Sequence, residues 1–314
     1  MKSLLHLVQS HLLTREMIGD LLLLEGVVRL CFQSDHIQNK RIHAFSSIVV
    51  FGASYCDNAH SRDEKFSSSL RPPPYYHGRW SNGPVWVEHI AEVAGVPLYN
   101  YAYGGATSNN EHFNGGVPDT RSQIQDYRND IESGRIHRGD GKVLHLMWVG
   151  INAIHQIWHS GEGVEQAVEE AEEVKRQFNY LLNDPIINRL PSEFHALTLP
   201  PLEIVPNDAY VAWGQGGIKM LTDAYNNHLI SAIQSFNSPA ALVHDIGSFW
   251  YRVHRAPNKF GFSNVKSACL SGAQPCKNPG QFIYFDSLHP TTKMHALIGD
   301  WVMSTLPAVG FKHK

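Results

Sequence analysis

The stretch Ile48-Val49-Val50-Phe51-Gly52-Ala53-Ser54-Tyr55-Cys56-Asp57-Asn58 decides the fold. Three β-branched residues and an aromatic read as a buried strand, and Gly-Ala-Ser ahead of Asp-Asn reads as a tight turn into a helix. Open α/β sheets place ligands beyond the carboxyl ends of their strands, which is where Ser54 would sit. A helix starting there would favour negative charge beside the hydroxyl, with Asp57 and Asn58 as its caps. Small residues after an apolar strand are also common in ordinary turns, so the downstream sequence has to decide.

Outward from this stretch the pattern alternates. Strand candidates fall at 47–51, 97–102, 143–149, 194–199 and 240–245, with helical patterns at 84–95, 117–133, 163–183 and 217–236 and a last helix at about 291–306. In the 163–183 helix, glutamates 165, 169, 170, 172 and 173 precede Lys175 and Arg176, the order that suits the helix dipole. Strands separated by helices predict βαβ units with right-handed crossovers and a parallel sheet covered on both faces. Residues 1–45 are apolar but broken by Glu16, Asp20, Glu25 and Arg29, so they read as an extension or an atypical targeting segment. Residues 46–314 read as one domain.

Bulk properties narrow the function classes. Hydrophobic content of 43% and charged content of 18% are those of a globular chain. A net charge of -3 without a Lys/Arg cluster argues against a nucleic-acid partner, and no apolar run is long enough to make an integral membrane protein. The 19 histidines are explained by core and surface packing before metal binding. His155 and His159 have a spacing that can hold zinc, but neither an adjacent glutamate nor a third ligand accompanies them. Of four cysteines, Cys269 and Cys276 share a Gly/Pro-bearing loop able to fold back; bridged, so short a loop would stabilise by about 2.5 kcal/mol on the chain-entropy model. Cys31 and Cys56 have no evident partners.

Three further fragments matter. Asn100-Tyr101-Ala102-Tyr103-Gly104-Gly105-Ala106-Thr107-Ser108 follows a strand, and its glycines leave backbone N–H groups open to an anion. Val149-Gly150-Ile151-Asn152-Ala153 ends the next strand, where Asn152 could aim its amide into the same cleft. Both also suit ordinary turns. In Asp286-Ser287-Leu288-His289-Pro290 the aspartate can reach the imidazole Nδ1 and leave Nε2 free to take a proton, though it could equally be a helix cap.

Together the four resemble the signature blocks of the GDSL, or SGNH, hydrolase family. Gly78-Arg79-Trp80-Ser81-Asn82-Gly83, Pro200-Pro201 and Cys276-Lys277-Asn278-Pro279 extend the likeness over roughly residues 46–306. The resemblance implies a flavodoxin-like three-layer α/β/α sandwich and a serine esterase or lipase working through an acyl-enzyme, without cofactor or metal. It makes Ser54 the nucleophile, His289 the general base and Asp286 its orienter. Ser54 N–H, Gly105 N–H and the Asn152 side chain become the oxyanion hole. No G-x-S-x-G elbow occurs.

Two positions depart from the family pattern: Ala53 and Ala153 stand where aspartates are usual. A catalytically impaired binding module on the same scaffold is therefore the rival reading. Tyr75, Tyr76, Trp80 and Trp86 read either as a substrate platform for a sugar or acyl chain or as loop packing. The expected substrates are small-molecule, carbohydrate or lipid esters, and the expected state is a monomer. The Cys269–Cys276 pair and family habit point to secretion, against which stand the poor signal segment and the lack of an Asn-x-Ser/Thr site.

Overall fold

The computed structural model describes residues 45–61, 64–208, 210 and 215–306. Apart from Phe45, the segment read as a targeting extension lies outside the described residues. Five parallel strands form the central sheet: β1 (Phe45–Gly52), β2 (Leu98–Asn100), β3 (Lys142–Trp148), β4 (Ser192–Leu197) and β5 (Ala241–His244), in the order β2-β1-β3-β4-β5. This is a doubly wound order, and its direction reverses between β1 and β3, where such sheets hold their sites. Val49, Val50 and Phe51 have no exposed surface, as expected for a central strand with both faces covered.

Seven helices are described: α1 (Trp86–Ala94), α2 (Thr120–Glu132), α3 (Ile151–Ser160), α4 (Val164–Asn183), α5 (Gln215–Gln234), α6 (Ile246–Arg255) and α7 (Thr292–Ser304). They make the fold a three-layer α/β/α sandwich. On one face Trp86 of α1 meets Trp148 of β3 edge-on, and Phe249 of α6 stacks on Trp301 of α7. On the other, Tyr127 of α2 packs on Phe51 and bonds His145 Nε2 at 2.8 Å. His145, His195 and His244 are all buried in the sheet, so part of the histidine count is core.

The connection from α6 to α7 is decorated. Short strands β6 (Asn264–Ala268) and β9 (Phe282–Tyr284) pair in parallel, and β7 (Leu270–Ser271) and β8 (Gln274–Pro275) make a hairpin between them. A disulfide joins Cys269 to Cys276 across that hairpin. Cys269 and Leu270 donate backbone hydrogen bonds to Tyr284 and Phe285, so the bridged hairpin braces the chain just before Asp286.

One expectation fails here: no helix follows Ser54. Residues 54–56 form a turn, residues 57–61 have no regular structure, and the next described element is a 3-10 helix at Glu64–Ser69. The reason is Asp57. Its buried carboxylate does not cap a first helical turn; it accepts Ala59 N–H at 2.8 Å and Gly104 N–H at 2.7 Å, tying the Ser54 turn to the loop after β2.

Candidate active site

The site is assembled at the carboxyl edge of β1, β2 and β3. Gly52, which ends β1, has φ +148, and a Cβ there would stand 2.3 Å from the Trp148 carbonyl oxygen. Only glycine lets the two strand ends close so tightly. The Gln123 amide of α2 clamps the same residue, accepting Gly52 N–H at 2.8 Å and donating to its carbonyl at 3.0 Å. The strand end is thus pinned from two sides, and the turn it releases carries Ser54, which is only 8% exposed.

The segment Asp286–His289 arrives from β9. His289 Nε2 lies 2.9 Å from Ser54 Oγ, and His289 Nδ1 lies 2.8 Å from Asp286 Oδ2. Asp286 Oδ1 accepts the backbone N–H groups of Leu288 at 2.8 Å and His289 at 2.6 Å. Burial opposes ionisation of Asp286, but the His289 imidazole and these N–H donors outweigh it and hold the carboxyl well below the usual carboxylate range. A fixed carboxylate at Nδ1 selects the tautomer that leaves Nε2 as an acceptor facing the serine hydroxyl.

The segments that follow β1, β2 and β3 each carry one N–H donor of interest, on Ser54, Gly105 and Asn152. Among the described residues, neither Ser54 N–H nor Gly105 N–H has a hydrogen-bond acceptor. Asn152, in the first turn of α3, donates through Nδ2 to the Ala106 carbonyl at 2.7 Å, which leaves its second amide proton. Gly105 takes φ +91, a left-handed conformation that suits glycine. Ala53 and Ala153 are both buried, and the serine–imidazole–carboxylate line closes without the carboxylates that the family usually carries there.

The four aromatics divide. Trp86 has no exposed surface, so the expectation that it faces a substrate is corrected: as the first residue of α1 it is turned into the core against Trp148. Trp80 lies against the imidazole of His289 with ring centres 4.7 Å apart, and Tyr75 Oη donates to Asp286 Oδ2 at 2.8 Å. Tyr76 alone is well exposed, at 39%, beside His77 and the Arg79 guanidinium. Sequence reading missed the contacts of Tyr75 and Trp80 with Asp286 and His289, because nothing in a Tyr-Tyr-x-x-x-Trp run gives direction.

Other sequence features lie elsewhere. His155 Nδ1 bonds Tyr210 Oη at 3.0 Å, and among the described residues no three His, Cys, Asp or Glu side chains gather as a metal site would require. Cys56 is a buried free thiol whose pKa burial pushes up, which suppresses thiolate formation. A cavity of about 1140 Å3 borders Tyr99, Tyr101, Tyr103 and Asp130 but includes neither Ser54 nor His289. Its Asp130 is already engaged by Arg135 and Tyr101. Among the described residues no helix is long and apolar enough to cross a membrane.

The same residues carry a family likeness. The chain is 28% identical over 238 residues to a phosphatidylcholine-sterol acyltransferase of Aeromonas hydrophila, covering 73% of this chain and about two thirds, 67%, of that protein. It is 22% identical to GDSL esterase/lipase 1 of Arabidopsis thaliana, covering 82% of this chain and 86% of the other. Among solved structures, Axe2, an acetylxylan esterase from Geobacillus stearothermophilus, superposes with a TM-score of 0.47 at 12% identity, covering 84% of this chain and 96% of Axe2. The family model described as GDSL-like Lipase/Acylhydrolase matches residues 48–302, so the chain belongs to that family of carboxylic ester hydrolases.

Proposed function

We propose that the protein cleaves carboxylic esters with Ser54 as nucleophile and an acyl-enzyme as intermediate. The observation that carries this reading is the unbroken line from Ser54 Oγ through the His289 ring to Asp286, with separations of 2.9 and 2.8 Å. His289 Nε2 takes the hydroxyl proton as Oγ attacks the carbonyl carbon, and the carbonyl π electrons move onto oxygen. Asp286 stays ionised and holds the imidazolium. The N–H groups of Ser54 and Gly105 and the Asn152 amide receive the oxyanion in a poorly hydrated setting, where fixed donors are most effective. When the tetrahedral intermediate collapses, His289 returns the proton to the leaving alcohol. Water then repeats the sequence on the acyl-serine and releases the acid. No step in this scheme calls on a metal or cofactor.

The substrates in this reading are lipid esters or acetylated carbohydrates; the acyl-transfer chemistry named for the Aeromonas relative supports a lipid ester. The Cys269–Cys276 disulfide supports work in an oxidising, extracellular setting, where a monomer would meet its substrate.

A fluorophosphonate probe tests the reading. Wild-type protein is expected to label covalently and Ser54→Ala to lose all labelling while keeping its thermal transition. Turnover of short and long p-nitrophenyl esters beside acetylated xylan identifies the acyl and alcohol preference. Equal labelling of both proteins, or ester turnover that survives Ser54→Ala, removes Ser54 from the mechanism.

A further inference from the structure

Asp286 has one more donor than its work with His289 requires. Two backbone N–H groups fill Oδ1, and the imidazole lies closest to Oδ2; the Tyr75 hydroxyl then adds a second bond to Oδ2 at 2.8 Å from 211 residues away in sequence. Burial and the Asp286 charge push Tyr75 up to about 12, so its hydroxyl keeps its proton and can only donate to the carboxylate through the working pH range.

Tyr75 is not a loose loop residue. Its loop is closed on itself by Arg71 N–H to Gly78 O at 3.0 Å and Tyr76 N–H to Ser81 O at 2.8 Å. It is tied to the far side of His289 by Ser81 Oγ–H to Pro290 O at 2.8 Å and by Asn82 Oδ1, which accepts Thr292 N–H at 2.9 Å. The Tyr75 ring meets Phe285 edge-on at 5.2 Å, and the Arg71 guanidinium covers both Tyr75 and Trp80, at 4.7 and 4.6 Å from the ring centres. Trp80 in turn lies on the imidazole. The loop therefore grips the Asp286–His289 segment at the carboxylate, at the ring face and just beyond the histidine.

From this geometry we infer that Tyr75 is a positioning residue that sets the basicity of His289 by drawing charge off Asp286. The inference rests on the reading of Ser54, His289 and Asp286 as the reacting set. A carboxylate that shares its charge with a phenol O–H holds an imidazolium less tightly, so the imidazole gives up its proton at lower pH and is a free base over a wider range. The other titratable groups facing the pair do not supply this effect. Tyr55, under the ring, spends its hydroxyl on the Leu288 carbonyl at 2.6 Å. His295 of α7 is buried, with burial lowering its pKa to about 3, and stays neutral. Tyr284 bonds Trp250 Nε1–H through its hydroxyl. Arg71 lies over the Tyr75 ring, 4.7 Å from its centre, and acts on the Tyr75 hydroxyl, whose pKa it lowers against burial and the Asp286 charge.

The test is the pH dependence of kcat/KM on a neutral short-chain p-nitrophenyl ester. In Tyr75→Phe, which keeps the ring and its contacts, the acid limb is expected to move up by roughly half a pH unit. KM is expected to change little, and turnover to fall about threefold only at pH values below the shifted limb. Placing 3-fluorotyrosine at 75, a more acidic donor of nearly the same shape, moves the limb down. Thermal melts accompany both, and the fluorotyrosine protein gives the answer if Tyr75→Phe folds poorly. An acid limb that stays in place in a folded variant, with turnover still abolished by Ser54→Ala, overturns the inference and leaves the reacting set intact. Turnover that persists in Ser54→Ala overturns the reading beneath it.

Discussion

Asn152 does two things with one amide. It ties the first turn of α3 to the loop after β2 through the Ala106 carbonyl, and in the proposed mechanism its second N–H receives the developing oxyanion. Loss of one such donor typically costs about 3 kcal/mol of barrier. Asn152→Ala is therefore expected to lower kcat by roughly a hundredfold with KM nearly unchanged. Steady-state kinetics on a p-nitrophenyl ester check this, and a loss confined to KM would show a binding role instead. Neighbouring positions show how far single letters carry. The meeting of Ser54, Asp286 and His289 was legible only from the four fragments together, since each taken singly suited an ordinary turn or cap. Gly104 was legible only as a flexible turn. In the structure its missing side chain makes room for Trp80, whose indole nitrogen would stand 2.1 Å from a Cβ at that position. That need is set by a residue 24 positions earlier, and no local pattern records it. Asp57 misled for the same reason, since a carboxylate after a turn looks like a cap until Gly104 is brought beside it.

At the scale of elements, the loop that offers Gly105 is supported from behind by α4. Ser108 Oγ–H donates to Glu170 Oε2 at 2.5 Å, Gln177 Nε2 donates to the Ser108 carbonyl at 2.9 Å, and Thr120 at the start of α2 bonds Gln177 at 2.6 Å. The periodicity of α4 was plain in the sequence, but its early glutamates were read only as an order that suits the helix dipole. Glu170 instead turns inward, and burial raises its pKa from 4.5 to about 8; its Oε1 has no hydrogen-bond partner among the described residues. A raised carboxyl pKa means the native state holds a proton that the unfolded chain releases. The associated stability is complete below about pH 4.5 and is lost as pH rises through about 8. Glu170→Gln keeps an acceptor for Ser108 and removes the ionisation. The variant should melt higher than wild type at pH 9 and no higher at pH 4, and parallel melting curves at both pH values would show that Glu170 does not titrate in this window. Element limits were otherwise readable to within a few residues, because apolar period and capping are local. β2 stops at Asn100, short of the 97–102 expected, as the Asn100 side chain bonds Cys56 O and Ala102 N–H and turns the chain out of the sheet. The α6 helix went unread: ten residues with Gly247 and Ser248 in the first turn give too short a pattern to separate from a loop.

For the whole molecule, the sheet and the helices beside it enclose several histidines that serve structure. His145 on β3, His244 on β5 and His295 on α7 are buried, and burial lowers all three, His145 and His295 to about 3. His145 is satisfied as a neutral ring by Tyr127 and the Glu193 carbonyl. His244 is satisfied by His195 and Thr305. A histidine held neutral in the fold binds a proton more readily once the chain unfolds. The stability it contributes is therefore present above the ordinary histidine value of about 6.5 and is lost as pH falls through the native values. Because the three sit on different strands and helices of one continuous core, protonating any of them means opening the same cooperative unit. His195 on β4, also buried and lowered by burial, adds a fourth ring. Urea unfolding between pH 7.5 and about 5 should give a stability that falls steadily below pH 6.5, approaching a slope of about four protons per molecule before the carboxylates contribute. The inflection belongs to the unfolded chain's histidines, so it is expected at the same pH in Ser54→Ala and Tyr75→Phe, even where the acid limb of turnover has moved. A stability that stays flat down to pH 5 would mean these rings are already charged in the native core, and the packing described for them would be wrong.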